Sequence, residues 1–304
     1  MAEIELDLLD WLHGRKSQAP SVELGIGDDM AAITLPESRI LVGSDMILDG
    51  VHFDSSKHAP ERIGRKAMAC CLSDCAAMAV RPLAAVVSVA LPNGIDLAWV
   101  KKMFDGMFAM GSEFATEIVG GDTTTWNHPF AIDVAMTALP YPGIEPIRRR
   151  GAKVGDGIFV TGPLGGSILG RHLNFTPRVR EAHRLATLLG PHLHAMMDIS
   201  DGLSLDLWRL CRASSVGAIL EEALFTKVIS DDARKLSAID GRAPLDHALS
   251  DGEDFELLVV AAAAKDAPVD VPLYRVGTIS PSGLAIARTD GRIEDLQPRG
   301  YVHG

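Results

Sequence analysis

Acidic residues set at the corners between apolar runs constrain this chain more than any other feature. Asp28 and Asp29 close a glycine turn, Gly25-Ile26-Gly27-Asp28-Asp29, and Asp45 follows Ser44 behind a strand-like run. Asp74 falls inside a helix, Asp122 follows Gly120-Gly121, and Asp198 and Asp201 flank a helix start in Asp198-Ile199-Ser200-Asp201-Gly202. Glycine lets the backbone turn tightly beside such acids. If these patches converge in one cleft, their mutual repulsion requires metal ions between them. Strand-to-helix corners are where α/β folds place metal and phosphate chemistry, because a helix N-terminus favours anions.

A chain of 304 residues, 47% of them apolar, can bury a large core and is long enough for two domains. Its 40 acids against 29 bases, a formal charge of -11, argue against a nucleic-acid surface and against docking on an anionic membrane. An anionic ligand would need cations to mediate its binding. The longest apolar runs, near 84–91 and 257–264, are too short to span a bilayer, and residues 1–18 lack the apolar core of a signal peptide. A soluble, cytoplasmic protein is therefore expected. Cys70, Cys71, Cys75 and Cys211 make no C-x-x-C pair, and buried packing is their reading rather than a disulfide or zinc framework.

Leu8, Leu9 and Leu12 stand at helical spacing. Strands are expected at 31–35 and 39–44, so that Asp45 emerges at a strand end, with His52 in the loop beyond. The clearest helix spans 61–80, where Ile63, Ala67, Cys70, Asp74 and Met78 form one stripe and Pro82 acts as the stop. An acid on an inward stripe needs either a metal or an ion pair, for which Arg65, Lys66 and Arg81 are at hand. Strands at 84–91, 116–119 and 130–138 and a helix at 97–114 follow. Gly120 and Gly121 would let the backbone approach a phosphate, with Asp122 holding a metal on it.

Composition turns proline- and glycine-rich at 139–147, and Arg148-Arg149-Arg150 follows, one member of which is placed to clamp a phosphate. The domain boundary is set here, with an N-terminal domain at 1–140 and a C-terminal domain at 148–304. The second half opens with a strand at 157–161 and a glycine-rich loop at 162–167. That loop lacks both the Lys-Ser/Thr ending of a P-loop and G-x-G-x-x-G spacing, so it reads as structural. Further elements are a helix at 177–189, a strand at 195–199, and a helix with Leu203, Leu207, Leu210 and Cys211 for which Ser200 is the expected N-cap. A strand near 217–221 and a helix near 230–238 precede the run from Asp251 to Leu257, where three acids beside Gly252 are too many for a simple turn. A strand at 274–279 leads to the C-terminal stretch.

Together these motifs resemble the thiamine-monophosphate kinases, of the superfamily that includes aminoimidazole ribonucleotide synthetase, selenophosphate synthetase and a hydrogenase maturation factor. The resemblance runs from about Glu23 to Tyr301. It rests on Gly25–Asp29, Ser44-Asp45 with Gly50-Val51-His52-Phe53, Leu72-Ser73-Asp74-Cys75-Ala76-Ala77-Met78, Gly120-Gly121-Asp122-Thr123-Thr124, Arg149-Arg150-Gly151-Ala152, Asp198–Gly202 and Gly252-Glu253-Asp254-Phe255-Glu256-Leu257. The implied fold is α/β (α+β) in two domains, the N-terminal sheet joining a partner's in a homodimer barrel and a C-terminal α/β domain following.

Carried over by position, the resemblance puts metal ligands at Asp29, Ser44, Asp45, Asp74, Asp122, Asp198 and Asp201. It puts ATP against Gly121, Asp122, Arg149 and Ser200, the thiamine-phosphate substrate against His52, Glu253 and Tyr301, and catalytic roles on Asp45, Asp122, Arg149 and Asp201. Three departures stand out: Gly43 replaces a usual hydroxyl residue, Ser250-Asp251-Gly252 replaces Ser-Gly-Gly, and the segment between Gly170 and Pro177 is short. The implied reaction is Mg²⁺-assisted transfer from ATP to thiamine monophosphate. Two alternatives stay open on sequence alone, another ATP-dependent enzyme of the superfamily that activates an amide oxygen, and a non-catalytic nucleotide binder on the same scaffold.

Overall fold

The computed structural model describes residues 22–24, 28, 30–35, 38–262 and 271–302. Asp29, the other glycine-turn residues 25–27 and the helix expected around Leu8 lie outside them. Six strands, β1 (Val22–Leu24), β2 (Ala31–Leu35), β3 (Ser38–Leu48), β4 (Val80–Pro92), β5 (Glu117–Trp126) and β6 (Ala131–Pro140), form one sheet in the order β1-β2-β3-β6-β4-β5. All neighbours are antiparallel except β4 and β5. This is an open sheet, with β5 as an exposed edge.

Helices α1 (Pro60–Ala77) and α2 (Leu97–Glu113) lie together over this sheet. Two glycines set how close they come: a Cβ on Gly64 would stand 1.8 Å from the Met103 carbonyl oxygen, and one on Gly106 2.0 Å from that of Glu61. No side chain fits at either point, so the helix backbones touch. Helix α1 starts with Pro60 in its first turn, where a missing N–H costs nothing. It ends before Ala79, which takes a left-handed φ of 51°, and the chain turns straight into β4. Pro82 therefore does not stop the helix as expected; it sits inside β4, at a register shift against β6 that accommodates its missing donor.

Seven more strands follow, β7 (Gly157–Val160), β8 (Leu193–Asp198), β9 (Gly217–Glu221), β10 (Leu257–Ala261), β11 (Tyr274–Ser280), β12 (Leu284–Ala287) and β13 (Ile293–Asp295). They make a second sheet in the order β13-β12-β9-β11-β7-β10-β8. Between them run α3 (Val179–Leu189), α4 (Leu203–Ser214), α5 (Asp231–Asp240) and α6 (Pro244–Ser250).

The buried strand β10 explains how this second sheet is held. Leu257, Val259 and Ala261 enter the core that also contains α1, α2 and α3, whereas Leu258 and Val260 enter a second core with Leu203 and Leu207 of α4 and Leu249 of α6. The two-residue side-chain period thus splits one strand between two cores. Each such buried aliphatic side chain contributes about 1.5–3 kcal/mol. Because α1 packs on the first sheet and on β8 and α3 as well, the two sheets share one continuous core, and the groove between them is lined from both sides. Among the described residues no helix is long and apolar enough to cross a membrane.

Candidate active site

A cleft of about 640 Å³ opens between the two sheets. Ser44, Asp45, His52, Asp74, Arg149, Asp198, Ser200, Asp201, Glu253 and Tyr301 all line it, and Asp28 joins them. Gly121 and Asp122 are not among its lining residues; they lie on the exposed strand β5, where the Asp122 carboxylate accepts a hydrogen bond from its neighbour Thr123 N at 2.8 Å.

The carboxylates reach the cleft by different routes. Asp45 lies within β3, opposite Val134 of β6, rather than at a strand end, because the alternation continues through Met46, Ile47 and Leu48. Asp74 comes from the last turn of α1. A ligand atom from each of Asp45, Asp74 and Cys71 lies within 4.8 Å of the other two. The Cys71 thiol donates to the Val134 carbonyl at 2.8 Å. Burial, and then the charges of Asp45 and Asp74, push its pKa well above the ordinary thiol value, so it stays protonated and the usable donors here are carboxylate oxygens. Of the cations considered as ion-pair partners for Asp74, Lys66 pairs with Glu253 and Arg65 with Glu113.

Asp198 ends β8 and accepts a hydrogen bond from the Ser73 hydroxyl of α1 at 2.6 Å, which ties the second sheet to the first at the cleft. Ser200 does not cap α4 as expected. The N-cap is Gly202, and the buried Asp206 carboxylate takes the amides of Asp201 and Gly202 at 3.0 and 3.1 Å. Burial, followed by the nearby Asp201 charge, raises Asp206 to about 7. Arg209 lies between the two acids, bonded to Asp201 and 3.0 Å from Asp206.

The same corner organises the opposite wall. The carbonyls of Ser200 and Ile199 accept from Glu253 N and Phe255 N at 2.6 and 2.8 Å, and that of Asp201 accepts from Tyr301 N at 2.9 Å. Glu253 and Phe255 adopt left-handed φ values of 52° and 51°, a strained backbone fixed by this pairing. Arg149 is positioned by its main chain: its N–H donates to Asp28 at 3.3 Å and its carbonyl accepts from the Ser214 hydroxyl at 3.2 Å. The Ser214 oxygen in turn takes the amides of Gly151 and Ala152. His52 accepts the Leu48 amide at Nδ1, 3.0 Å away, so its neutral form carries the proton on Nε2; its ring stands 6.4 Å from that of Tyr301.

The glycine-rich loop at 162–167 keeps its structural role for a specific reason. The Gly165 amide is already bound by the buried Asp254 carboxylate and the Gly166 amide by Asp251. Acids from the run after α6 occupy the anion-binding amides, and Arg171 pairs with Asp254 behind them.

Gly120 and Gly121 belong to strand β5 instead of a loop, the chain slipping register against β4 between Ala85 and Val86. Two features of the cleft region escape a reading of the sequence, Arg209 and the pairing of Lys66 with Glu253 rather than with Asp74. Lys66 does sit on the apolar stripe of α1 between Ile63 and Cys70, which is the available signal for a buried cation, while Arg209 gives none because its partners are set by the tertiary fold.

The sheet that carries the first wall of this cleft is of the AIR synthase-related class: residues 27–139 match the family model "AIR synthase related protein, N-terminal domain". Over 99% of this chain and 98% of the relative, it is 41% identical to a thiamine-monophosphate kinase of Rhodopirellula baltica. A thiamine-monophosphate kinase structure from Stenotrophomonas maltophilia is 31% identical, with a TM-score of 0.72 over 94% of this chain and 96% of that one. AaThiL, solved in complex with AMPPCP and TMP, is 26% identical with a TM-score of 0.83, covering 98% of this chain and 96% of that one. The chain belongs to the thiamine-monophosphate kinase family.

Proposed function

We propose that this chain transfers the γ-phosphoryl group of ATP to the phosphate of thiamine monophosphate, giving thiamine diphosphate and ADP. One observation carries the reading: four of the five acidic patches, an arginine and the residues matched to the acceptor all line a single cleft although they are scattered from Asp28 to Tyr301. The AaThiL complex with an ATP analogue and TMP supports the pairing of substrates.

The acceptor phosphate has a second pKa of about 6, so its oxygen is already mostly ionised at neutral pH and needs no general base. The task left to the protein is to hold two polyanions together in line. Arg149 supplies a guanidinium against the transferring phosphate, fixed by its main-chain bonds to Asp28 and Ser214. Glu253 and Tyr301 offer an acid and an aromatic ring to the cationic thiazolium, with His52 beside them.

Asp45 and Asp74, with the Ser44 hydroxyl, are hard oxygen donors that suit Mg²⁺, and the protonated Cys71 adds no competing soft ligand. When bound, Mg²⁺ supplies charge neutralisation to the phosphates. Asp198 adjoins this set through Ser73, whereas Asp201 has Arg209 as its resident positive charge.

Residues 1–140 and 148–304 are assigned as the two domains, and the protein as a homodimer acting in the cytoplasm. The four cysteines are free and buried, consistent with a reducing compartment. For the dimer, β5 is an exposed edge, and Leu83, Val86, Val119 and Trp126 add exposed apolar surface to β4 and β5. A second copy seated there covers β5 and gives Gly121 and Asp122 a nucleotide-facing environment. The test of the activity is conversion of thiamine monophosphate, and not free thiamine, by purified protein with Mg-ATP. Free thiamine offers a neutral hydroxyl in place of an already ionised phosphate oxygen and has no phosphate for the cations and Arg149 to hold; equal turnover of both, or of neither, would refute the proposal.

A further inference from the structure

Lys66 is among the largest fully buried side chains of the described residues, and no part of its side chain reaches solvent. An ammonium in that position needs its three N–H donors satisfied by acceptors close at hand. One goes to the main-chain carbonyl of His52 at 2.7 Å and another to the Glu253 carboxylate. These acceptors come from segments 14 and 187 residues away in the chain. His52 belongs to the turn after β3 on one wall of the cleft, and Glu253 to the strained loop before β10 on the other. Both line the cleft, together with Tyr301.

We infer that Lys66 is the positioning residue of the acceptor end: its ammonium, reaching from α1, fixes the Glu253 carboxylate and the His52 turn opposite each other. This rests on the assignment of those two residues to the thiamine-phosphate side of the cleft. Glu253 is held at both ends, its amide on the Ser200 carbonyl and its carboxylate on Lys66, which is what keeps a left-handed residue in one conformation. Both of these acceptors belong to the acceptor side, and neither is one of the nucleotide-side candidates Gly121, Asp122, Arg149 and Ser200. A positioning role thus acts on one substrate and not the other, whereas a plain structural tie between the two halves would disturb both alike.

The experiment is steady-state kinetics on the full chain with Lys66→Met, Lys66→Arg and the double variant Lys66→Met/Glu253→Gln, with AMPPCP binding measured by calorimetry. Lys66→Met is expected to raise KM for thiamine monophosphate by about tenfold to a hundredfold, the effect of losing a charged hydrogen bond, and to leave KM for ATP and AMPPCP affinity within about twofold. Lys66→Arg keeps the charge and recovers part of the loss. The double variant is no worse than Lys66→Met, because the two side chains act as a unit. A change of equal size in both KM values, or an unchanged KM for thiamine monophosphate, overturns the role. If Lys66→Met does not fold, the same split is read from Lys66→Arg. A wild-type protein that fails to phosphorylate thiamine monophosphate sinks the function itself, while an active wild type with unaffected variants sinks only the part given to Lys66.

Discussion

Acid should weaken the junction between the two sheets at His172. This side chain is 1% exposed, its Nδ1 pairs with the Ser167 carbonyl at 2.9 Å, and its Nε2 is buried without a partner. His58 packs against it with ring centroids 5.7 Å apart. Burial, with smaller contributions from Lys66, His58 and Arg62, lowers its pKa to about 4.

An unfolded histidine titrates near 6.5, so between these values the unfolded chain binds a proton that the native chain does not. The neutral imidazole therefore adds no cost above about pH 6.5, and stability is lost as pH falls from there toward about 4. Between about pH 7.5 and pH 5 the linkage amounts to about 2 kcal/mol. Asp206 and Asp254, raised by burial to about 7 and about 8, work in the opposite sense, gaining stability on acidification.

The measurement is urea unfolding of wild type and His172→Asn at both pH values. Asparagine preserves a donor toward Ser167 but does not titrate, and the carboxylate contributions cancel in the comparison. Wild type should lose about 2 kcal/mol more than the variant over this interval. An equal loss in the two proteins, within about 0.5 kcal/mol, would refute the reasoning.

Asp45→Asn should lower turnover by at least about a hundredfold while the unfolding midpoint stays put; near-normal rates would count against the cation site it shares with Asp74, and near-normal rates in Asp122→Asn would count against the nucleotide role given to β5. Gly64→Ala places a Cβ 1.8 Å from the Met103 carbonyl and should destabilise the protein by about 3 kcal/mol, which a fall in the urea midpoint would register and an unchanged midpoint would contradict. Arg209→Ala removes the positive charge bonded to Asp201 and Asp206, so Mn²⁺ titration followed by electron paramagnetic resonance should detect binding tighter by about tenfold or an added site. Identical isotherms would mean that Arg209 and the cation do not compete.

Much of this was legible in the sequence where a local rule decides the outcome. The stripe Ile63, Ala67, Cys70 and Asp74 marks α1 because helical periodicity is a property of the segment alone, and the acidic patches around Asp28, Asp45, Asp74 and Asp198 do meet in one cleft. What local rules missed was settled by partners distant in the chain. Pro82 looks like a helix stop until β6 is present to accept it at a bulge, and Gly120-Gly121 looks like a loop until β4 pairs with it. Ser200 resembles an N-cap, yet Asp206 reaches the same amides first. Lys66 was visible only as a cation near Asp74, since nothing nearby in the chain points to an acid 187 residues further on.

Helix α1 holds the cleft residue Glu253 through the buried Lys66 and places Asp74 in the cleft lining itself. Eight residues at 1.5 Å per residue set Lys66 and Asp74 about 12 Å apart along a rigid rod. On the acceptor placement proposed above, the spacing between its ring and its phosphate is measured off on this single ruler. On that placement, an acceptor longer by one bond would mismatch the gauge.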